Sequence, residues 1–229
     1  MCIINSSRKF IFVHIPKCGG TSITHELAEL TTWRDLELGS TNYGEKLHAI
    51  MGPRFGLYKH SRASEIASVV GQQSWNRYFT FTFVRNPFHR AVSSYKYFRM
   101  HSYTYRFIEP IKSFSEFVLW PDWGRVGPDR ILQPQHHWLS GPASEGRPIV
   151  DFVGKLENYR EDLKRIVQLI GAEKDLPSIG GERKNTTSSS KPVEVADALV
   201  IERIIHRYSW DFELFGYPKT PPSEWRICY

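Results

Sequence analysis

Lys9-Phe10-Ile11-Phe12-Val13-His14-Ile15 is an almost unbroken apolar run closed by Pro16 and a pair of glycines, the pattern of a strand buried on both faces in a parallel sheet. Thr21–Thr31 then reads as a helix. A second run, Tyr78–Val84, is rich in aromatic and β-branched residues and predicts another strand. It runs into Arg85-Asn86-Pro87, where Asn86 has the character of an N-cap and Pro87 that of a first helical residue, opening a helix to about Met100. Between these units, Leu57–Ser61 predicts a short strand ahead of a helix near Ser64–Val70. Downstream, Ile149–Gly154 predicts a strand and Asn158–Ile170 an amphipathic helix stopped by Gly171. A polar loop over Pro177–Ser190 precedes a last helix expected from Pro192, with Val195, Leu199, Ile201, Ile204 and Ile205 at helical spacing. Repeated strand–turn–helix units predict an α/β fold: a central, mostly parallel sheet flanked by helices, in a single domain over residues 1–229.

Composition narrows the class. A chain of 229 residues that is 41% hydrophobic and 24% charged can bury a core unaided, and no stretch approaches the roughly eighteen apolar residues of a membrane span. The first residues, Met1 to Lys9, have no cationic segment ahead of a long apolar one, so a cytoplasmic location is expected. Cys2, Cys18 and Cys228 are odd in number, scattered and without a CxxC, which argues against a disulfide framework and a zinc site. Thirty Lys and Arg against twenty-four Asp and Glu give a net charge of +6. That excess suits an anionic partner such as a nucleotide, a nucleic acid or an acidic saccharide. No long basic run and no nucleic-acid-binding signature accompanies it.

Two segments carry chemistry. Ile15-Pro16-Lys17-Cys18-Gly19-Gly20-Thr21-Ser22 lies between the first strand and the first helix. Its glycines free the backbone to curl, and a helix N-terminus there offers N–H groups to an anion, a P-loop-like phosphate cradle. Lys17 precedes the glycines, whereas GxxxxGK[ST] places its lysine after them, so an ATP kinase is disfavoured. In the second segment, Phe83 to Tyr95, Arg85 stands at the carboxyl end of a strand and Ser93 on the helix that follows, near enough in sequence to share a phosphate. Two anion sites in order suit a nucleotide with phosphates at both ends, such as adenosine 3′,5′-bisphosphate.

With these residues the chain resembles the sulfotransferases that use PAPS (3′-phosphoadenosine 5′-phosphosulfate), in particular the carbohydrate sulfotransferases. IPKCGGTS is similar to their 5′-phosphosulfate loop, and Arg85-Asn86-Pro87 with Arg90, Ser93 and Tyr95 to their 3′-phosphate motif. Phe152–Asn158 and Asp211–Tyr217 look like further family landmarks, and Arg183–Thr187 with Lys191-Pro192 is similar to the loop that closes over the 3′-phosphate in uronyl 2-O-sulfotransferases. The resemblance implies in-line transfer of SO₃ from PAPS to an acceptor hydroxyl, releasing adenosine 3′,5′-bisphosphate, with no metal. Lys17 would neutralise the leaving phosphate and the N–H groups of Cys18, Gly19, Gly20, Thr21 and Ser22 would hold it, while Arg85, Ser93, Arg183 and Thr186 would serve the 3′ end.

His60 resembles the position of a catalytic histidine in the 2-O-sulfotransferases, their His-x-His doublet being reduced here to one. His14, the His136–His137 pair and Glu26 are the other candidate bases. Residues 95–148 form a candidate acceptor-binding insertion, because Tyr95–Trp138 interleaves aromatic residues with Arg99, Arg106, Lys112, Arg125 and Arg130. A saccharide acceptor is expected first and a small natural product or lipid alcohol second. The competing class is a non-catalytic nucleotide- or nucleic-acid-binding α/β protein.

Overall fold

A computed structural model describes residues 2–39, 41–124, 130–142, 144–176, 194–195, 198–223 and 225–227. In chain order its elements are β1 (Cys2–Asn5), β2 (Phe10–Val13), α1 (Gly20–Ala28), β3 (Leu36–Leu38), α2 (Asn42–Phe55), α3 (Ala63–Val70), α4 (Gln72–Arg77), β4 (Phe79–Val84), α5 (Pro87–Met100), α6 (Phe114–Leu119), α7 (His136–Leu139), β5 (Phe152–Lys155), α8 (Tyr159–Leu169), β6 (Glu194–Val195), α9 (Ala198–Arg207), α10 (Ser209–Leu214) and β7 (Arg226–Ile227). They divide into two compact units, residues 1–84 with 135–186 and residues 85–134 with 187–229.

The first unit is built on a five-stranded sheet in the order β3-β1-β2-β4-β5. β2 pairs parallel with β4, and β4 with β5, while β1 lies antiparallel to both β2 and β3. Four of the five strands therefore run one way and β1 alone runs the other. The expected α/β class with a mostly parallel sheet stands. β2 is shorter than its apolar run implied: Lys9 takes a left-handed turn (φ 57°) out of the β1–β2 connection, and His14 and Ile15 lie beyond the strand.

Alternation on β4 decides what the sheet holds. Phe81 and Phe83 point to one face, where with Phe10 and Phe12 they meet Ile23 and Leu27 of α1 and Leu163, Ile166 and Val167 of α8. The Phe12 and Phe81 rings stack at 5.4 Å. Thr80 and Thr82, on the opposite side, are buried hydroxyls and both are satisfied: Thr82 donates to the Val13 carbonyl at 2.7 Å, and Thr80 donates to the Asp151 carboxylate at 2.8 Å. These bonds tie β4 to the neighbouring β2 and to the segment entering β5.

Leu57–Ser61 is not a strand. The Tyr58 N–H donates to the Ser61 hydroxyl at 2.9 Å and the Ser61 N–H returns to the Tyr58 carbonyl, closing a turn in which Leu57 and Ser61 are buried and His60 is largely covered. α2 and β1 were not foreseen. α2 leaves Tyr43, Ile50 and Phe55 exposed and so carries little amphipathic pattern, and β1 is four residues long.

The second unit has its own core, in which Phe88 and Phe98 of α5 and Phe117 and Val118 of α6 pack with Trp123, Val200, Ile204, Tyr208 and Phe212. Asn86 caps α5 through the Phe88 N–H at 2.9 Å, with Pro87 opening the helix. Arg90 is 2% exposed and donates to the carbonyls of Ile131 at 2.7 Å and Gln133 at 2.8 Å, while Tyr208 donates to that of Leu132 at 3.1 Å. Pro192, where a helix is expected to open, lies outside the described residues. Glu194–Val195 instead pairs in parallel with Arg226–Ile227, so Val195 belongs to a strand, and α9 starts at Ala198. On α9 Ile204 is buried and Ile201 and Ile205 pack against the core as expected, joined by the buried Val200, while Leu199 is exposed.

Because Arg90 holds two carbonyls with a buried charge, Arg90→Met should lower the unfolding free energy by roughly 2–3 kcal/mol. A urea midpoint unchanged from wild type would show that these bonds carry no stability.

Candidate functional site

The chain leaves β2 through His14 and Ile15 into a turn that two left-handed residues shape. Gly19 has φ 77°, which costs a glycine nothing. Lys17 has φ 68°, which an L side chain adopts only at a cost of order 1–3 kcal/mol, and such strain concentrates where a side chain must be aimed. Between them Cys18 is buried: its N–H donates to the Ile15 carbonyl at 3.4 Å and its thiol to Gln135 Oε1 at 3.1 Å. Gln135 is itself fully buried, so the turn is fastened to the segment that opens α7.

α1 begins at Gly20 with Gly19 as N-cap, no side-chain cap and no acidic residue in the first turn. The N–H groups of Ser22 and Ile23 turn back to the Gly19 carbonyl. Those of Gly20 and Thr21, at the positive end of the helix, have no intrahelical acceptor by geometry. Gly20 is required for another reason as well: a Cβ there would fall 1.9 Å from His14 Nε2. The His14 imidazole thus lies against the first residue of the helix.

The same imidazole meets His60, their ring centroids 4.5 Å apart. His60 Nδ1 lies 3.4 Å from the His14 carbonyl, and its ring stands edge-on to Trp138 at 6.2 Å. With Nδ1 donating to that carbonyl, Nε2 holds the free lone pair. Both histidines are held well below the usual imidazole range. For His14 the main cause is burial, reinforced by His60, Lys17 and Lys59. For His60 it is again burial, reinforced by Lys59 and His48 and opposed by the hydrogen bond to His14. Two neutral imidazoles therefore stand beside the turn at neutral pH.

Lys17, Cys18, Gly19, Gly20, Thr21, Ser22 and His60 all belong to the first unit, where the His14 ring lies against both Gly20 and His60. Arg85 and Ser93 belong to the second. There Arg85 follows β4 directly and is half-buried, and Ser93 is 8% exposed on α5. Lys96, one helical turn beyond Ser93, is held below the usual amine range by burial and by the Arg85 guanidinium. The spacing of three from Ser93 could have drawn attention to Lys96 in the sequence. Arg183 and Thr186 lie outside the described residues, as does Arg125.

The other candidate bases fare differently. Glu26 accepts from the Tyr159 hydroxyl at 2.7 Å, part of the packing of α1 on α8. The His136 and His137 rings meet edge-on, with centroids 4.4 Å apart. Among the described residues no three His, Cys, Asp or Glu side chains gather as metal ligands would. The aromatic segment is mostly core: Phe98, Tyr105, Phe114, Phe117 and Trp123 are buried, and Arg99 donates to the Ile108 and Ile111 carbonyls. Stacking on an acceptor by Trp123 is thereby excluded, since only 5% of it is exposed.

The lowered histidines have a consequence for stability. Unfolded imidazoles take up protons near pH 6.5 that the folded chain refuses, so the contribution is full above that pH and is lost as pH falls below it. Melting temperature should fall between pH 7 and 5, and His14→Phe with His60→Phe should flatten that slope; an unaltered slope would place the acid sensitivity elsewhere.

Comparison with known proteins places these motifs in a family. A family model described as the sulfotransferase family matches residues 1–218. A protein of Archaeoglobus fulgidus, described as uncharacterized, is 32% identical over 111 residues, 48% of this chain and 82% of its own. No solved structure matches the chain. Among the described residues no helix is long and apolar enough to cross a membrane. The family match runs over nearly the whole chain, and the chain belongs to the sulfotransferase family.

Proposed function

We propose that the chain transfers the sulfuryl group of PAPS to a hydroxyl, most naturally of a saccharide, by in-line displacement. The observation that carries this reading is the turn after β2, where a lysine held at positive φ stands beside a helix N-terminus free of acidic side chains. The acceptor oxygen attacks sulfur on the side opposite the 5′-phosphate, the bond from sulfur to that phosphate oxygen breaks, and adenosine 3′,5′-bisphosphate departs. Negative charge grows on the departing phosphate. Lys17 and the N–H groups of Gly19, Gly20 and Thr21 meet it there, with Ser22 contributing its hydroxyl because its N–H already bonds within the turn. The acceptor proton passes to Nε2 of His60, the nitrogen not turned toward the His14 carbonyl.

Arg85 and Ser93 take the 3′-phosphate, with Arg183 and Thr186 closing over it. Support for two anion sites comes from the sequence, in which each motif directly follows a strand, β2 or β4. Catalysis here needs position and charge stabilisation more than bond-making by the protein, since the leaving group is already an adequate one. Cytoplasmic sulfation by a protein that binds no nucleic acid completes the reading.

Titration with adenosine 3′,5′-bisphosphate, AMP and single-stranded DNA tests it, with thermal shift as readout. The bisphosphate should stabilise most; DNA binding at least as tight would favour the non-catalytic class. Arg85→Ala should weaken bisphosphate by about 1–3 kcal/mol, and Ser93→Ala by less, with AMP nearly unaffected. Equal losses for both ligands would assign these residues to the fold.

Kinetics separate the two roles in the first unit. Lys17→Ala should remove most turnover while weakening bisphosphate only modestly, and His60→Ala should lower kcat by roughly 10²–10⁴ without changing donor affinity. In wild type the acid limb of the rate should lie below the usual imidazole range, because His60 resists protonation. Near wild-type kcat in either variant would overturn that residue's role.

A further inference from the structure

Lys17 and His60 sit on separate stretches of chain, and both must be aimed, since a misplacement of about 1 Å can cost on the order of 10²-fold in rate. A third stretch, α7 with the residue that opens it, touches the surroundings of each. Gln135 is fully buried, and its side-chain oxygen accepts the Cys18 thiol at 3.1 Å. Cys18 stands between the two left-handed residues, Lys17 at φ 68° and Gly19 at φ 77°. A turn strained at its lysine keeps its shape only where its surroundings over-determine it, and the bond from Cys18 to Gln135 is such a hold from outside the turn.

The second hold is one helical turn further on. The backbone N–H of Trp138 donates to the Gln135 carbonyl at 3.0 Å, so the two residues close a single turn and share a face. Trp138 is fully buried, and its ring stands edge-on to the His60 imidazole with centroids 6.2 Å apart. Its indole N–H meets no hydrogen-bond acceptor among the described residues, so it acts on His60 through the bulk of the ring. The His14 ring lies against the same imidazole at 4.5 Å, and the His14 carbonyl faces Nδ1. α7 is itself anchored at its far end: the Ile149 N–H donates to the Leu139 carbonyl at 2.9 Å, and Ser140 bridges to Pro148. All of these residues belong to the first unit.

We propose that Gln135 and Trp138 are positioning residues of the sulfotransfer site: Gln135, acting through Cys18, sets the turn that aims Lys17 at the leaving phosphate, and Trp138 sets the plane of the imidazole that takes the acceptor proton. This rests on the sulfotransfer reading with Lys17 and His60 in their proposed roles. Both side chains are fully buried and act at one remove from donor and acceptor. Because one turn of helix carries both, the spacing between the group that meets the departing charge and the group that receives the proton depends on α7.

Wild type, Gln135→Leu, Cys18→Ala and the double variant are titrated calorimetrically with adenosine 3′,5′-bisphosphate, 5′-AMP and 3′-AMP. Failure of the bisphosphate to bind wild type would remove the sulfotransfer reading and this proposal with it. Gln135→Leu should weaken the bisphosphate and 5′-AMP by about three- to tenfold and leave 3′-AMP unaffected, because the turn serves the 5′ end. Cys18→Ala should show the same selectivity, and the double variant should lose no more than either single one, because both break one bond. Unchanged 5′-AMP affinity, a loss spread equally over all three ligands, or losses that add would overturn the role of Gln135. For His60, long-range ¹H–¹⁵N spectra of the imidazoles, assigned with His60→Gln, report the tautomer without any ligand. Wild type should show the Nδ1–H form; Trp138→Phe should keep it, and Trp138→Met should give a mixture in which the two nitrogen shifts converge. A wild-type His60 in the Nε2–H form overturns the role of Trp138 without any variant. A Trp138→Met spectrum identical to wild type overturns it too, and either result leaves the donor reading in place.

Discussion

The parallel pairing of β2 with β4 is the constraint on which the rest depends. Parallel neighbours cannot be joined by a tight turn, so the chain must cross over between them, and both strands then deliver their next residues to the same edge of the sheet. β2 leads into the turn at Lys17, and β4 is the last strand before the second unit begins at Arg85. Thr82 and Thr80 lock this pairing from the polar side of β4, toward β2 and toward Asp151, while Phe81 and Phe83 lock it from the apolar side. Hydroxyls in a fully buried strand remain affordable only because each has an acceptor within 2.8 Å.

Much of the chemistry was legible because it is local. The turn after β2 announces itself by Pro16, Lys17 and two glycines, and α5 by Asn86 and Pro87, whose cap and first-turn preferences need no tertiary information. What was illegible depends on distant partners. Nothing in the spacing of His14 and His60, 46 residues apart, predicts that their rings meet. Nor does Cys18 in isolation imply Gln135, 117 residues away. α2 shows no apolar stripe because its buried positions are Gly44 and Gly52, while Tyr43, Ile50 and Phe55 are exposed. The start of the last helix was misjudged for a related reason: Val195 continues an apolar period, yet backbone pairing with Ile227 claims it for a strand.

The aromatic segment shows composition misleading in a specific way. Ten Phe, Tyr and Trp residues within 95–123 look like a binding surface when each is counted alone, but beyond α5 the helices among them are short, three and six residues. Short helices bury little apolar surface apiece, and large rings supply what length does not. Arg90 belongs to the same economy of scale. It lies within a motif read for phosphate, and the structure spends its guanidinium on the carbonyls of Ile131 and Gln133.

The contact between His14 and Gly20 gives those two positions a single shared volume. A Cβ at Gly20 cannot coexist with the imidazole of His14 where it now lies. Among homologous chains, a side chain larger than hydrogen at the position of Gly20 is compatible with this packing only where the ring at the position of His14 has been lost, so the two sites should covary. Six residues separate them in sequence, and the linkage between them would register as a local motif to anyone reading the chain in one dimension, although its cause is the exclusion of two groups from one place.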